Sequence, residues 1–132
     1  MPVLVIGVPC DYKCLFGISS PFKEFPAGVH TQVLGNGHSH LIVSGAGGRL
    51  YWFLFGNIGS RKYGKDIPRY TKEDQAQFVE QHKGDPVGEG VTFGDLYGSR
   101  IASVLTALEE YVFEKWYFQR IITIGDSAHK VS

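Results

Sequence analysis

Thr31-Gln32-Val33-Leu34-Gly35-Asn36-Gly37-His38-Ser39-His40-Leu41-Ile42-Val43-Ser44 is the stretch that decides the fold. Two runs, Thr31 to Leu34 and His40 to Ser44, are β-branched or aliphatic, and Gly35-Asn36-Gly37 between them tolerates the positive φ of a tight turn. This predicts a β-hairpin. Gly45-Ala46-Gly47-Gly48 then turns the chain into Arg49-Leu50-Tyr51-Trp52-Phe53-Leu54-Phe55, an aromatic run whose β propensity suits a strand buried on both faces. Three consecutive strands make an antiparallel meander.

Towards the N-terminus, Lys13 to Ser19 alternates loosely and meets Ser20-Pro21, which predicts a short strand ended by a residue that cannot extend the ladder. Phe22 to Gly28 reads as a loop. The opening run to Ile6 is similar to the first strand of a nucleotide-binding unit. Gly7-Val8-Pro9-Cys10 follows it, however, so the Gly-x-Gly-x-x-Gly fingerprint is missing.

Towards the C-terminus, Asn57 to Tyr70 is polar and basic and reads as a solvated loop. Thr71-Lys72-Glu73-Asp74 has the form of a capping box with Asp at the third helical position, opening a helix to about Lys83 that Gly84-Asp85-Pro86 closes. On that helix Phe78, Val79 and His82 share a face, and His82 reads as an edge residue rather than a ligand. Thr92-Phe93-Gly94-Asp95 offers a second cap for a short helix to about Arg100. Beyond Ile101, the spacing of Leu96, Arg100, Val104, Leu108 and Val112 favours a helix, whereas Glu110 to Trp116 alternates as a strand does. Arg120 to Ile124 reads as a buried strand ending in Gly125-Asp126.

The 132 residues are enough for one domain with a real core. Hydrophobic residues are 43% and charged residues 20%, a balance that excludes disorder as the main state. Thirteen basic against thirteen acidic side chains give no net charge and no basic block, so a nucleic-acid partner is not expected. The longest apolar runs, Val3 to Val8 and Leu50 to Phe55, are far too short to cross a bilayer, and Met1 to Ile6 lacks the basic flank of a secretory signal, so none is expected. The expected location is the cytoplasm. Cys10 and Cys14 read as plain reduced thiols.

Asp126 stands where a strand ends in glycine, with Ser127, Ala128 and His129 after it as an expected helix start. It could accept hydrogen bonds from a ligand hydroxyl, or it could be an ordinary N-cap; both readings stay open. His38-Ser39-His40 puts two imidazoles on one side of a strand, but no Cys, Asp or Glu lies near them in sequence, so no metal site is expected. There is no Gly-x-Ser-x-Gly nucleophile elbow.

Arg120-Ile121-Ile122-Thr123-Ile124-Gly125-Asp126-Ser127-Ala128-His129-Lys130 resembles the second flavin-binding motif, the Gly-Asp motif, of FAD-dependent monooxygenases of the aromatic-hydroxylase type. Tyr12 to Ser19, Arg49 to Phe55, Asp66 to Asp74 and Leu105 to Phe113 are similar to the fungal branch of meroterpenoid and indole-diterpene biosynthesis. The resemblance implies an α+β fold, a mostly antiparallel sheet with flanking helices, forming the substrate-side part of such a flavoprotein. It divides the chain into a divergent segment 1–11, a substrate-binding layer 12–115 and a partial FAD-binding segment 116–132, and makes the stretch after Ile101 a strand returning to the FAD domain.

For function, the resemblance implies FAD as cofactor, with Asp126 binding the ribityl chain beside Gly125, and NAD(P)H as reductant in full-length relatives. The substrate would be a small terpenoid or polyketide-derived molecule that is hydroxylated or epoxidised. By order along the chain, Lys13 and His40 fall near the arginine and tyrosine of phenol-hydroxylating members, both as departures, with Tyr12 and Tyr51 as neighbouring candidates. Lysine keeps the charge without arginine's planar fork, and histidine can still donate a proton. The expectation is a truncated monooxygenase, inactive alone and able to self-associate through exposed sheet surface, with membrane association allowed for its full-length relatives. The alternative is a non-catalytic ligand- or partner-binding module.

Overall fold

A computed structural model describes residues 9–109, 111–112, 117–122, 124–125 and 129–130. In chain order the elements are β1 (Pro9–Ser19), β2 (His30–Leu34), β3 (His38–Ser44), β4 (Leu50–Tyr63), α1 (Lys72–His82), β5 (Pro86–Gly88), β6 (Val91–Thr92), α2 (Phe93–Gly98) and β7 (Arg100–Glu109). Four two-residue strands follow: β8 (Tyr111–Val112), β9 (Tyr117–Phe118), β10 (Ile121–Ile122) and β11 (His129–Lys130). The main sheet has the order β2-β3-β4-β1-β7 with every neighbouring pair antiparallel, so the fold is α+β. The expected meander is β2-β3-β4. Its first turn ends in Gly37 at φ 78, where the Gly35 N–H donates to the His38 carbonyl at 2.9 Å.

Both helices begin as their sequences require. At α1, Thr71 accepts from the Asp74 N–H while the Asp74 carboxylate accepts from the Thr71 N–H; at α2, Thr92 and Asp95 repeat the arrangement. Each reciprocal pair satisfies two backbone donors that a helix start leaves without partners.

The stretch after Ile101 is a strand. β7 runs antiparallel to β1, with Phe16 opposite Val104 and Tyr12 opposite Leu108, so the helical reading of its spacing is corrected. The Asn57 to Tyr70 loop is also corrected at its start, because β4 continues through Tyr63. There β1 advances from Cys10 to Tyr12 while β4 retreats from Lys62 to Asn57, an irregularity held by Arg61, whose guanidinium donates to both carboxylate oxygens of Asp11 at 2.9–3.2 Å.

β4 is not buried evenly on both faces. Leu50, Trp52 and Leu54 are buried, and Tyr51, Phe53 and Phe55 between them are half-buried. The helices cover one face of the sheet and bring the core with them: Phe78 and Val79 of α1 and Phe93 and Leu96 of α2 join Leu15, Ile42, Trp52 and Leu105.

Arg120 to Ile124 departs from its expectation too. Among its described residues only Ile121 and Ile122 pair as a strand, with Phe118 and Tyr117, and Ile121, Ile122 and Ile124 are 66%, 74% and 80% exposed. A β-branched run is buried only where another layer covers it, and β9 alone does not. No helix among the described residues is long and apolar enough to cross a membrane.

Candidate functional site: two faces of one sheet

Strand alternation sorts the candidate residues. Register places Lys13, Gly56 and His38 in one cross-strand row and His40 opposite Leu54, all on the helix-covered face. Tyr12, Phe16, Phe53, Phe55 and Val104 fall on the other face.

The covered face is close-fitted around Trp52 and Phe78. Trp52 lies across Gly17, where any Cβ would overlap the indole. Its Nε1–H donates to Ser19 Oγ at 2.8 Å, and that hydroxyl donates to the Leu96 carbonyl at 2.6 Å, tying the sheet to α2. Phe93 meets the indole edge-on at 5.2 Å. A Cβ on Gly56 would come within 2.7 Å of the Phe78 ring, so glycine there lets α1 approach the sheet. Over that ring stands the Lys13 ammonium, 4.3 Å from the centroid and 5.6 Å from that of Tyr70.

Beside it, His38, His40, His82 and Asp85 converge. The Asp85 Oδ2 atom lies 2.9 Å from His40 Nε2, 2.8 Å from His82 Nδ1 and 3.2 Å from His38 Nε2. The two histidines of β3 point the same way because they are two apart on a strand, and the last turn of α1 brings His82 over them. Asp85, in the turn that ends the helix, supplies the acidic partner that the neighbourhood of His38 and His40 lacks in sequence. It stands 45 residues from His40, so local spacing could not reveal it; the useful signal was the His82 to Asp85 interval at a helix end.

Burial, opposed by the Asp85 carboxylate, holds the His40 pKa below its ordinary value. Burial also works to raise the Asp85 carboxyl, but hydrogen bonds from His40 and His82 outweigh it and leave its pKa below the usual range. A neutral His40 donating to an ionised Asp85 satisfies both.

The open face is aromatic. Phe16 and Phe53 lie 5.0 Å apart, and Phe53 and Phe55 stack at 5.9 Å with their planes within 3°. Tyr12 is 40% and Val104 52% exposed. A depression of about 260 Å³ lies among Tyr12, Gln32, Ser39 and Phe55. Cys14 is buried beneath these side chains, and burial pushes its thiol up to about 12. Cys10 and Cys14 are both free thiols, as expected.

Of the expected site residues, Lys13 and His40 therefore share the covered face, His40 being 2% exposed. Tyr12 and Tyr51 lie on the open one. Gly125 is exposed with φ 64, a conformation that favours glycine, and none of the described residues stands within 4 Å of where its Cβ would be. Asp126, with Ser127 and Ala128, lies outside the described residues. The helix expected there does not include His129, which pairs as a strand with Val112.

No protein-family model matches the chain. The FAD-dependent monooxygenase andE of Emericella variicolor is 36% identical over 126 residues, which are 96% of this chain and 27% of the relative. The FAD-dependent monooxygenase janM of Penicillium janthinellum is 32% identical over 126 residues, 96% of this chain and 26% of the relative. The FAD-dependent monooxygenase spyC of Aspergillus fumigatus is 37% identical over 123 residues, 92% of this chain and 26% of the relative. The chain is thus a relative of fungal FAD-dependent monooxygenases along nearly all of its sequence, and spans about a quarter of the length of these curated relatives.

Proposed function

We propose that this chain forms the substrate-side layer of an FAD-dependent monooxygenase, its open sheet face lying against an apolar substrate and its helix-covered face serving as structural backing. The observation that carries the reading is the open face: Phe16, Phe53 and Phe55 form an aromatic row opposite the two helices, beside a depression edged by the hydroxyls of Tyr12 and Ser39. Concave, mostly apolar surface with a few polar groups is the usual form of a small-molecule site. A terpenoid or polyketide-derived substrate suits it. On this reading Tyr12, rather than buried His40, is the proton-bearing group within reach of substrate, and Lys13 steadies α1 through Phe78 and Tyr70.

Bound FAD, reduced by NAD(P)H, would supply the oxygen chemistry. Gly125 fits a ligand that approaches the backbone closely, and Asp126 beside it would accept hydrogen bonds from ribityl hydroxyls. The 132 residues hold no Gly-x-Gly-x-x-Gly turn to cradle a pyrophosphate, so the isolated polypeptide is expected to be inactive. With Ile121, Ile122 and Ile124 also exposed, it self-associates; a sharp monomer peak in size-exclusion chromatography would contradict this.

Two binding experiments test the reading. A prenylated phenol should bind saturably to the purified chain, and Phe53→Thr should weaken binding about tenfold, the loss expected from roughly 1.4 kcal/mol of aromatic contact. Absence of saturable binding would defeat the substrate-layer assignment. Incubation with excess FAD followed by desalting should leave no flavin absorbance; retained absorbance that falls in Asp126→Ala would instead show that a cofactor site survives, and oxygen-dependent turnover would then refute the expected inactivity. The depression on the open face also favours a second reading, a ligand-binding module without catalysis. It would be preferred if the phenol binds but flavin supplied with the relatives' missing portions never oxidises it.

A further inference from the structure

We propose that His38, His40, His82 and Asp85 form a binding site for a divalent transition-metal ion of the zinc class, on the covered face and independent of any flavin chemistry. The four ligand atoms all lie within 4.8 Å of one another. Tetrahedral zinc with bonds of about 2.0–2.2 Å needs ligand-to-ligand separations of roughly 3.3–3.5 Å. That requirement falls between the 2.8 Å from His82 Nδ1 to Asp85 Oδ2 and the 4.8 Å limit of the group, so a tetrahedral centre needs the carboxylate to retreat by about half an ångström and the imidazoles to adjust around the ion.

The hydrogen bonding of His38 makes the stronger argument. Its Nδ1 faces the Asn36 carbonyl oxygen at 3.3 Å, and that oxygen can only accept. A neutral imidazole has a single N–H, so with the proton on Nδ1 the Nε2 atom presents a lone pair. Yet Nε2 stands 3.2 Å from Asp85 Oδ2, another acceptor. Two lone pairs facing each other are repulsive, and the same oxygen already receives His40 and His82. A cation among the four resolves the conflict, because His40 and His82 then carry their protons on their other ring nitrogens and every lone pair points at it. The Nδ1–H donated to Asn36 becomes the outer hydrogen bond that fixes the ring of a metal-bound histidine.

The surroundings suit an ion as well. Three imidazoles and one carboxylate form a donor set that zinc, copper, nickel and cobalt accept and that calcium and magnesium do not favour. His40 is almost fully buried while His38 and Asp85 are about a quarter exposed, so the site is rigid on one side and open on the other. The ion would join the β2-β3 hairpin to the end of α1, adding to the hydrogen bond of His40 with Asp85 and the ring contact of His38 with His82.

The test uses the full 132-residue chain, stripped with a chelator and titrated with cobalt(II). One equivalent should bind and give the visible absorption of tetrahedral cobalt, which zinc then abolishes by displacement. Asp85→Asn and His38→Ala should each weaken binding by at least about 100-fold, whereas His30→Ala, on exposed β2, should leave it unchanged. His38 is the most exposed of the three ligating histidines, so its loss spares the core if Asp85→Asn does not fold. Zinc should also raise the thermal midpoint of the parent chain and not that of His38→Ala. A parent chain that gives no visible cobalt absorption overturns the proposal, as does binding that survives both ligand variants in folded protein.

Discussion

The two faces of the five-stranded sheet are built from the same strands and behave as different materials. On the covered face the buried polar side chains among the described residues are engaged: Trp52, Ser19 and Leu96 form one chain of hydrogen bonds, and His40 and His82 donate to Asp85. No buried side-chain nitrogen or oxygen among the described residues lacks a partner. On the open face the side chains touch through rings and leave solvent contact at Tyr12 and Val104. One face supplies stability and the other retains apolar surface, which is the division expected of a sheet that carries a ligand on a rigid support.

Substitutions at equivalent depth in the strands should separate the two faces. The largest effect is expected from Trp52→Ala, which removes a fully buried indole and its bond to Ser19; the loss should be about 3–5 kcal/mol in chemical denaturation, enough to unfold a marginal domain. Thr71→Ala removes the side chain that caps α1, the helix lying over the covered face, and should cost about 1 kcal/mol by the same measurement. Phe53→Thr, next to Trp52 in sequence but on the open face, should cost less than about 1 kcal/mol and improve solubility. If Phe53→Thr destabilises as much as Trp52→Ala, the division between the faces is broken.

Acid sharpens the same comparison. His40 is held neutral in the folded chain, below its ordinary value of 6.5, so on acidification the unfolded chain takes up a proton that the folded chain refuses. Its contribution is therefore complete above about pH 6.5 and is lost as the pH falls towards the lowered folded value. Asp85, also lowered, adds a second loss in the same direction at more acid pH, below its ordinary 3.8. With chelator present, the thermal midpoint should hold steady from pH 8 to 6.5 and then decline, and His40→Gln should flatten the first part of the decline. An unchanged profile in that variant would remove His40 from the acid response.

Much of the fold was legible because it rests on local chemistry. The Gly35-Asn36-Gly37 turn and the caps at Thr71 and Thr92 act over three or four residues, and all three stand where the sequence indicated. β7 was misleading for a physical reason: residues four apart share a face in a strand as well as on a helix, so Arg100, Val104 and Leu108 satisfy both periods. What decided it was pairing with β1, which lies some ninety residues earlier and leaves no local trace. Asp85 was invisible to the reading of His38 and His40 for the same reason. Nor could periodicity state which face of β4 the helices would cover, and that choice puts Lys13 and His40 away from the aromatic row and Tyr12 beside it.

The division of labour between the faces is tested most directly by nuclear magnetic resonance of the isotope-labelled chain titrated with a prenylated phenol. We expect saturable shifts at Tyr12, Phe16, Phe53 and Phe55, with the Trp52 indole N–H and the His40 ring unmoved. Shifts concentrated at Trp52, His40 and Lys13, with the aromatic row silent, would contradict the assignment of the open face to substrate.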